Sequence, residues 1–253
     1  MDLEEKKKRV KEKPLPRHVA LIMDGNARWA ERNKVSKAEA YLQGIKRAWE
    51  AVLLCEELGI EFLTLYAFSK ENWRRPPEEV ETLMRLFEDF LRKWRDEILG
   101  HPLKVKLLGD VEDLPPTVRT LLLETIELTD SKKGTTVNLA LSYSGRWEIL
   151  QAVKKVAHRV KEGALLPEEI EEGLFSKFLL TGDTPDPDLL IRTSGEKRVS
   201  NFLLWQLAYT ELYFTDVLWP DFTQDEFLNA ILDYQNRERR FGMTRDQIRK
   251  ERL

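Results

Sequence analysis

Six short apolar segments alternate with longer amphipathic segments along most of the 253-residue chain. The short segments have the length and composition of buried strands, and the longer ones repeat apolar residues at helical spacing. Such alternation predicts a parallel sheet with right-handed crossovers and helices on both faces. The predicted strands cover residues 19–23, 62–68, 103–108, 135–143, 189–193 and 211–214.

Proline and glycine delimit several of the predicted helices. Gly59 ends the helix predicted over residues 38–58, because glycine readily adopts the left-handed conformation that follows many helices. Proline pairs at 76–77 and 115–116 predict helix starts, since proline suits the first helical turn. The helices then predicted cover residues 76–99, 115–129, 147–161, 201–209 and 223–240, with one or two short ones within 167–180.

The composition favours one soluble α/β domain. Hydrophobic residues make up 42% of the chain, enough for a core, and charged residues 34%. With 41 Lys and Arg against 44 Asp and Glu, the net charge of -3 gives no general electrostatic case for a nucleic-acid partner. No apolar stretch approaches transmembrane length. The single cysteine, Cys55, excludes an internal disulfide and suits a reducing, cytoplasmic compartment.

Residues 1–17 are expected to form a charged N-terminal arm ahead of a folded domain over residues 18–253. The arm begins MDLEEKKKRVKEK and lacks the apolar core of a signal peptide. We expect it to be frayed or solvated. Its mixed acidic and basic residues make a membrane-surface role the weaker interpretation.

Polar clusters follow four of the predicted strands. In a parallel sheet the carboxyl ends of the strands share one edge, where ligands bind. Arginine suits a bidentate grip on phosphate, so arginines that converge on this edge favour a phosphate site over a solvated rim. Each cluster contains an arginine and three contain a tryptophan; they read DGNARW (24–29), SKENWRRP (69–76), SGRW (144–147) and RTSGEKRVSN (192–201).

The first of these clusters carries the most chemistry. Gly25 permits a sharp turn, after which we expect Arg28 and Trp29 to lie on an irregular segment. Asp24 can hold a hard cation, while backbone N–H groups and Arg28 can hold phosphate oxygens. On this stretch alone, an ordinary Asp-Gly turn after a strand is an equally good interpretation.

Several other site types have no matching pattern in the sequence. Both the Walker motif and G-x-G-x-x-G are absent, as is the G-x-S-x-G elbow. The three histidines, His18, His101 and His158, are scattered. What remains is a carboxylate with arginines, hydroxyls, amides and indoles. That set suits an enzyme that positions a diphosphate leaving group and neutralises its charge with Mg²⁺.

In its motifs the chain closely resembles the cis-prenyltransferase family. The motifs follow in family order from about His18 to Gly242, and the aspartate-rich DDxxD pattern of the all-helical trans-prenyltransferases is missing. The matching segments are HVALIMDGNARWA, LTLYAFSKENWRRP, SYSGRW, DLLIRTSGE, RVSNFLLWQLAYTELYFTDVLWPDF and NRERRFG.

This resemblance implies a single α/β domain with a mostly parallel six-stranded sheet, flanking helices and an apolar tunnel. The implied activity adds isopentenyl diphosphate in cis to an allylic diphosphate primer such as farnesyl diphosphate, giving a long polyprenyl diphosphate that serves as a lipid carrier precursor. Mg²⁺ is the implied cofactor. A homodimer through the ELYFTDVLWPDF and NRERRFG segments is implied too, with transient membrane contact for product release. Tunnel lining is expected within residues 83–90 and 137–141, where core packing is an equally good interpretation.

The resemblance also implies roles for individual residues. Asp24 would be catalytic and would hold Mg²⁺ together with Glu211, and Asn72 occupies the position that the family assigns as proton acceptor. Gly25, Asn26, Ala27 and Arg28 would form the loop around the allylic diphosphate, with Trp29 beside it, and Ser69, Lys70 and Glu71 would lie along the entrance for the allylic substrate. Trp73 and Arg75, just after Asn72, would bind substrate, and Lys37 and Tyr41 would be phosphate-side groups. Isopentenyl diphosphate would be bound by Arg192, Arg198, Val199 and Ser200.

At four positions the chain departs from the family pattern. Ala27 replaces a glycine, so its peptide must have permissive angles or shift. Lys37 replaces an arginine and offers phosphate a point charge instead of a fork. Tyr41 replaces a histidine, although its phenol can still donate a hydrogen bond. Lys197 stands where some members have a metal-binding histidine, and a protonated lysine cannot ligate a metal.

A carboxamide is a very weak base, so Asn72 is more credible as a positioning group than as the proton acceptor. The departing diphosphate, or Asp24, could accept the proton instead. Two other functions stay open. A non-catalytic subunit of a prenyltransferase complex is disfavoured by the retained functional residues, and a nucleotide-dependent phosphotransferase by the missing P-loop.

Overall fold

The predicted six-stranded sheet is confirmed. A computed structural model describes residues 2–239, and its six strands are all parallel, in the order β3-β4-β2-β1-β5-β6. The predicted strand ends agree to within one residue. The strands are β1 (His18–Ile22), β2 (Phe62–Ser69), β3 (Lys104–Leu108), β4 (Thr136–Tyr143), β5 (Leu189–Arg192) and β6 (Glu211–Phe214).

Helices cover the sheet, and short 3-10 turns lie in several of the segments that connect one element to the next. The longest helix begins at a capping box between Ser36 and Glu39 and ends, as predicted, at Gly59 with φ 76°. None of the helices in residues 2–239 is long and apolar enough to cross a membrane. The helices are α1 (Leu3–Lys11), α2 (Asn26–Asn33), α3 (Lys37–Leu58), α4 (Pro77–Lys93), α5 (Arg95–Gly100), α6 (Pro116–Thr129), α7 (Gly145–Lys161), α8 (Glu172–Phe178) and α9 (Gln224–Gln235).

The N-terminal segment is not the solvated arm that its charge predicts. Residues 3–11 form α1, which starts at a capping box between Asp2 and Glu5. Val10 is completely buried, and its carbonyl accepts a hydrogen bond of 2.7 Å from Gln235 Nε2. The ammonium of Lys6 donates to Asp225 Oδ2 at 2.6 Å. Docking of α1 therefore uses two apolar side chains, Val10 and the partly buried Leu3, with a few polar contacts within an otherwise charged segment.

Other local predictions are wrong for identifiable reasons. Arg28 and Trp29 lie in α2 and not on an irregular segment. Residues 201–209 form turns, because Asn201 and Leu203 have φ of 61° and 43°, which a right-handed helix cannot contain. The helix predicted over 76–99 is interrupted at Trp94, and the last one ends at Gln235. Residues 240–242 of the NRERRFG motif lie outside the described residues.

Alternating side chains of β1 build the core on both faces of the sheet. Val19 and Leu21 belong to a cluster with apolar residues of α3 and α9. Ala20 and Ile22 pack on the opposite face in a cluster that contains Tyr143 and Phe202. Because β1 and β5 are buried along their whole length, the loops after them start from a rigid base.

A buried polar chain crosses the amino end of the sheet. Asn138 Nδ2 donates to Thr64 Oγ1 at 3.0 Å, and Thr64 Oγ1 lies 2.7 Å from His18 Nε2. His18 Nδ1 lies 2.6 Å from the carbonyl oxygen of Pro185, which can only accept, so the neutral ring is the Nδ1–H tautomer and its Nε2 accepts from the Thr64 hydroxyl. Burial lowers the pKa of His18 to about 4 against the opposing effects of the Pro185 carbonyl and Asp188.

His18 should therefore make the fold acid-sensitive. Between pH 6.5 and pH 4 the unfolded chain binds a proton at His18 and the folded chain does not, so the free energy of unfolding falls as the pH falls. From pH 6.5 to 4.5 this amounts to about 2–3 kcal/mol. We expect the wild type to lose about that much more stability than His18→Gln over this interval in urea titrations. Equal losses would contradict the assignment.

Candidate active site

The four strands followed by polar clusters are neighbours in the sheet. Strands β4, β2, β1 and β5 lie side by side, so their carboxyl ends bring the four clusters together, as expected. A cavity of about 460 Å³ opens there and extends between the sheet and α3 and α4, as far as Val105 and Val137 near the amino ends of β3 and β4. Its polar lining includes Asp24, Asn26, Tyr41, Asn72, Arg75, Arg192, Arg198 and Ser200, and its apolar lining includes Trp49, Val52, Leu83, Phe87, Phe90, Ile98 and Leu141.

An ion pair between Asp24 and Arg192 lies at the polar end of the cavity. Arg192 Nη2 donates to Asp24 Oδ2 at 2.8 Å, and the arginine side chain is only 4% exposed. Burial alone raises the pKa of the Asp24 carboxyl. The hydrogen bond and charge of Arg192, with the Gly25 amide, outweigh that effect and bring the pKa below its ordinary value. The carboxylate is therefore ionised at neutral pH, and at 36% exposure it stays accessible.

The backbone of Asp24 is fixed as firmly as its side chain. Its N–H donates to Thr193 Oγ1 at 2.9 Å, and its carbonyl accepts from the same hydroxyl at 2.7 Å. The Trp219 amide donates to that carbonyl at 3.0 Å. Thr193, which motif matching did not single out, thus holds the backbone of Asp24 in place. The signal that could have identified it is its position directly after β5, the strand that pairs with β1 just before Asp24.

Gly25 makes the turn that the sequence predicts. Its φ of 109° is in the region that favours glycine, and an added Cβ would lie 2.9 Å from Leu218 Cδ2. The chain then enters α2, so the amide groups of its first turn face outward from the sheet edge. Ala27 lies in this first turn without a positive φ, so the departure from glycine causes no backbone strain.

The other predicted groups on α2 are anchored to neighbouring loops. Arg28 Nη2 donates to the Ser194 carbonyl at 2.9 Å and lies 3.5 Å from Glu196. The indole of Trp29 donates to Asp221 Oδ1 at 2.7 Å. Helix α2 is thereby tied to the loop after β5 and to the turn that precedes α9.

Two polar atoms of the cavity lining have no hydrogen-bond partner within residues 2–239. They are Asn26 Oδ1 and Arg192 Nε, both buried. Gly44 leaves room beside the first, because a Cβ there would lie 2.7 Å from Asn26 Oδ1. A buried polar atom without a partner is costly, so a polar ligand at this end of the cavity would gain these contacts.

Asn72 serves as a cap in a 3-10 turn over Lys70–Arg74. Its Oδ1 accepts from the Ser69 amide at 3.0 Å, and its own amide donates to Ser69 Oγ at 3.2 Å. The indole of Trp73 donates to Ser142 Oγ at 2.9 Å. These contacts give Asn72 an orienting role in the loop after β2.

Both remaining predicted residues of this turn point to structural partners. The Lys70 ammonium contacts Asp110 at 2.9 Å and Asp113 at 2.6 Å, and Glu71 Oε1 accepts from Asn201 Nδ2 at 2.7 Å. Sequence analysis singled out neither Asp113 nor Asn201. The first lies in a separate loop after β3, and the second makes contacts that only its left-handed backbone conformation allows.

The loop after β5 wraps around the Arg192 guanidinium. Arg192 Nη1 donates to Ser200 Oγ at 2.7 Å and also to the Arg198 carbonyl. The Arg198 side chain is 60% exposed and pairs with Glu196. Val199 packs against the cluster of Ala20 and Phe202. Three of the predicted isopentenyl-binding residues, Arg192, Arg198 and Ser200, thus lie together beside Asp24.

Lys37, Tyr41 and Arg75 also come together, around a residue that sequence analysis missed. All three contact the carboxylate of Glu79. In the sequence Glu79 looks like an acidic residue that stabilises the first turn of a helix. Only the packing of α4 against α3 identifies its partners.

The structure does not bring Glu211 next to Asp24. Glu211 begins β6 and is aligned with Leu189 and, through it, with Val19, at the amino ends of the strands. Asp24 follows the carboxyl end of β1, roughly 16 Å further along the strand direction. Glu211 instead accepts a hydrogen bond of 3.0 Å from Arg237. The sequence predicted the strand correctly but did not indicate which end of it faces the site.

Asp24 by itself suits Mg²⁺. No group of three or more His, Cys, Asp or Glu residues within positions 2–239 could hold a metal ion. Mg²⁺, however, is commonly bound through one or two carboxylates together with substrate phosphates and water. The ionised, accessible carboxylate of Asp24 fits a site of that kind, in which a diphosphate supplies the other oxygens.

The comparisons with known proteins agree with this geometry. Residues 22–242 match a family model described as "Putative undecaprenyl diphosphate synthase". An isoprenyl transferase of Geobacillus kaustophilus is 50% identical over 93% of this chain and 92% of its own length. The ditrans,polycis-undecaprenyl-diphosphate synthase ((2E,6E)-farnesyl-diphosphate specific) of Pasteurella multocida is 47% identical over 90% of this chain and 95% of its own.

Solved structures show the same similarity. Lavandulyl diphosphate synthase from Lavandula x intermedia, crystallised with dimethylallyl diphosphate, superposes with a TM-score of 0.88 at 39% identity, over 90% of this chain and 98% of that one. The structure of a probable undecaprenyl diphosphate synthase from Campylobacter jejuni superposes with a TM-score of 0.71 at 35% identity, over 90% of this chain and 99% of that one. With its sheet order, its cavity and these matches, the chain belongs to the undecaprenyl diphosphate synthase family of prenyltransferases.

Proposed function

We propose that this protein adds isopentenyl diphosphate units in cis to an allylic diphosphate primer and releases a long polyprenyl diphosphate. The observation that carries the proposal is the Asp24–Arg192 pair at the polar end of a deep apolar cavity. A diphosphate suits the charged end, and a growing hydrocarbon chain suits the apolar lining. Farnesyl diphosphate is the proposed primer, in line with the name of the Pasteurella multocida relative.

The charged groups at the cavity mouth would drive cleavage of the bond between the allylic carbon and the diphosphate. Arg28, Arg192 and the amides at the start of α2 stabilise negative charge on the departing diphosphate. Mg²⁺, held by Asp24 and the diphosphate oxygens, would supply further charge neutralisation. Arg198 and Ser200 hold isopentenyl diphosphate so that its double bond faces the allylic carbon. These two residues position the substrate and take no part in bond making or breaking.

A proton must leave the isopentenyl unit after the new carbon–carbon bond has formed. The Asn72 oxygen already accepts from the Ser69 amide, and a carboxamide is a very weak base. A diphosphate oxygen is the better proton acceptor. Asn72 therefore acts as a positioning residue, which holds the loop after β2 against the substrate.

Product formation tests the activity directly. Purified protein is incubated with farnesyl diphosphate, labelled isopentenyl diphosphate and Mg²⁺, and the extracted lipids are sized. We expect a ladder that ends in one long polyprenyl species. Asp24→Asn should lower the rate at least about 100-fold, because it removes the carboxylate that faces the diphosphate and Arg192.

Asp130→Asn is the matched control and should leave the rate unchanged, because Asp130 is the exposed C-cap residue of α6 and within residues 2–239 forms an ion pair only with Lys104. No incorporation with farnesyl diphosphate or with shorter or longer primers would refute the enzyme and favour the non-catalytic subunit. Equal loss in both variants would refute the role of Asp24.

Substitution of Asn72 separates orientation from proton transfer. Asn72→Asp keeps an oxygen acceptor for the Ser69 amide, so we expect kcat to stay within about tenfold of the wild type and the pH profile to keep its shape. Asn72→Ala removes the cap, and misplacement of the loop should cost about 100-fold. A new ionisation in the pH profile of kcat for Asn72→Asp would contradict the positioning role and support a proton relay at this position.

We further propose a homodimer that uses the segment from β6 onward. Leu212 on the edge strand β6 is 37% exposed, and Leu204 in the preceding turns is 36% exposed. Part of the NRERRFG segment assigned to this interface lies outside the described residues.

Light scattering at micromolar concentration should give twice the chain mass of 29.7 kDa. Leu212→Asp should shift the mass toward the monomer, because it places a charge in the apolar contact. Leu128→Asp, at a leucine of α6 that is 45% exposed, is the matched control and should stay dimeric. A wild-type monomer would refute the dimer.

The proposed product is too apolar to remain in water, so we place the reaction in the cytoplasm with transient contact at a membrane surface for release. Labelled product should pass to phospholipid vesicles added to the reaction. An equal turnover rate with and without vesicles, with no labelled product recovered in the vesicle fraction, would refute this release step.

A further inference from the structure

Three of the predicted substrate-binding side chains contact Glu79. Its Oε2 accepts from the Lys37 ammonium at 2.5 Å. Its Oε1 accepts from the Tyr41 hydroxyl at 3.0 Å and from Arg75 Nη1 at 3.2 Å. The Glu79 side chain is 13% exposed, whereas those of Lys37 and Arg75 are 57% and 41% exposed. The carboxylate is thus the inner, fixed member of the cluster.

The cluster joins the two helices that flank the cavity. Lys37 and Tyr41 lie one turn apart on α3 and therefore share a face. Arg75 lies two residues before the start of α4, and Glu79 lies in the first turn of that helix. Tyr41 and Arg75 also line the cavity. A single carboxylate therefore fixes the distance between charged groups of two separate elements.

The protonation states suit such a role. Burial alone raises the pKa of the Glu79 carboxyl, but Lys37, Tyr41 and Arg75 outweigh it and lower the pKa below its ordinary value. The helix N-terminus favours the same ionised form. Burial and the neighbouring Glu79 raise the pKa of Tyr41 to about 12. The phenol therefore stays protonated and donates a hydrogen bond to the carboxylate.

Each cation keeps donors that Glu79 does not use. An ammonium has three N–H donors and a guanidinium five, and the carboxylate takes one from each. Without that carboxylate, two like charges on long, partly exposed side chains would repel each other and spread into solvent. Ordering them again on binding would cost side-chain entropy.

We infer that Glu79 is a positioning residue, which holds Lys37, Tyr41 and Arg75 together so that the unused donors of the two cations meet the diphosphate of the allylic substrate. The inference rests on the proposed function, from which it takes the identity of the substrate. It assigns Glu79 no contact with the substrate itself.

The alternative is that Glu79 competes with the diphosphate for the same cations, and the two roles predict opposite signs. A positioning residue makes diphosphate binding weaker when it is removed, and a competitor makes it tighter. Glu79→Gln keeps the size and one oxygen acceptor but removes the charge. Glu78→Gln is the matched control, because Glu78 is exposed in the same first turn and contributes equally to the helix terminus.

We expect Glu79→Gln to raise the KM for farnesyl diphosphate about tenfold, with kcat and the KM for isopentenyl diphosphate within about twofold of the wild type. Glu79→Asp, which keeps the charge but has a shorter reach, should recover part of the loss. Glu78→Gln should match the wild type. A lower KM for farnesyl diphosphate in Glu79→Gln, or equal increases in the KM of both substrates, would overturn the inference.

Binding of inorganic pyrophosphate, measured by calorimetry with Mg²⁺ present, gives a readout that does not need turnover. Glu79→Gln should weaken it severalfold, and Glu78→Gln should not. If the wild type elongates no primer, the proposed function fails, and the pyrophosphate comparison still tests the role of Glu79. Thermal unfolding of each variant shows whether it is folded, and if Glu79→Gln is not, Glu79→Asp against Glu78→Asp decides the question.

Discussion

The ion pair between Asp24 and Arg192 joins the ends of β1 and β5, and much of the site depends on it. A buried guanidinium without a partner would cost about 3–5 kcal/mol. Arg192 avoids that cost through Asp24, Ser200 and the Arg198 carbonyl, so one side chain orders the loops that follow both strands. The residue proposed to bind substrate is therefore also the one that shapes its surroundings.

The backbone conformation of the loop after β5 depends on these contacts of Arg192. Ser194, Ser200, Asn201 and Leu203 all have positive φ, an unusual concentration for residues other than glycine. Such strain persists only where surrounding contacts fix it. Here the contacts are the Arg192 bonds to Ser200 and the Asn201 bonds to Glu71 and Ser144. The loop after β5 is thus held in a conformation that its own sequence does not favour.

Sequence patterns predicted the features that depend on local chemistry. Strand–helix alternation gave the order of elements, and the Asp24-Gly25 turn and the arginine-rich strand ends located the site at the correct edge of the sheet. Features that depend on packing were not predictable in this way. The docking of α1 depends on α9 at the other end of the chain, and two of the three partners of Glu79, Lys37 and Tyr41, lie about 40 residues away on α3. To predict whether Glu211 lies near Asp24, one must know which end of β6 faces the site, and the sequence pattern identified only the strand itself.

A common pattern links these cases: five cations in or beside the cavity lining each have a carboxylate partner. Arg192 pairs with Asp24, Arg28 and Arg198 with Glu196, and Lys37 and Arg75 with Glu79. Five cations and three carboxylates leave this group with a net charge of +2, although the whole chain carries -3. Unpaired, the cations would repel one another and loosen the loops that hold them. Paired, they stay ordered and still present enough positive charge for a diphosphate, because each carboxylate uses only part of the donors around it.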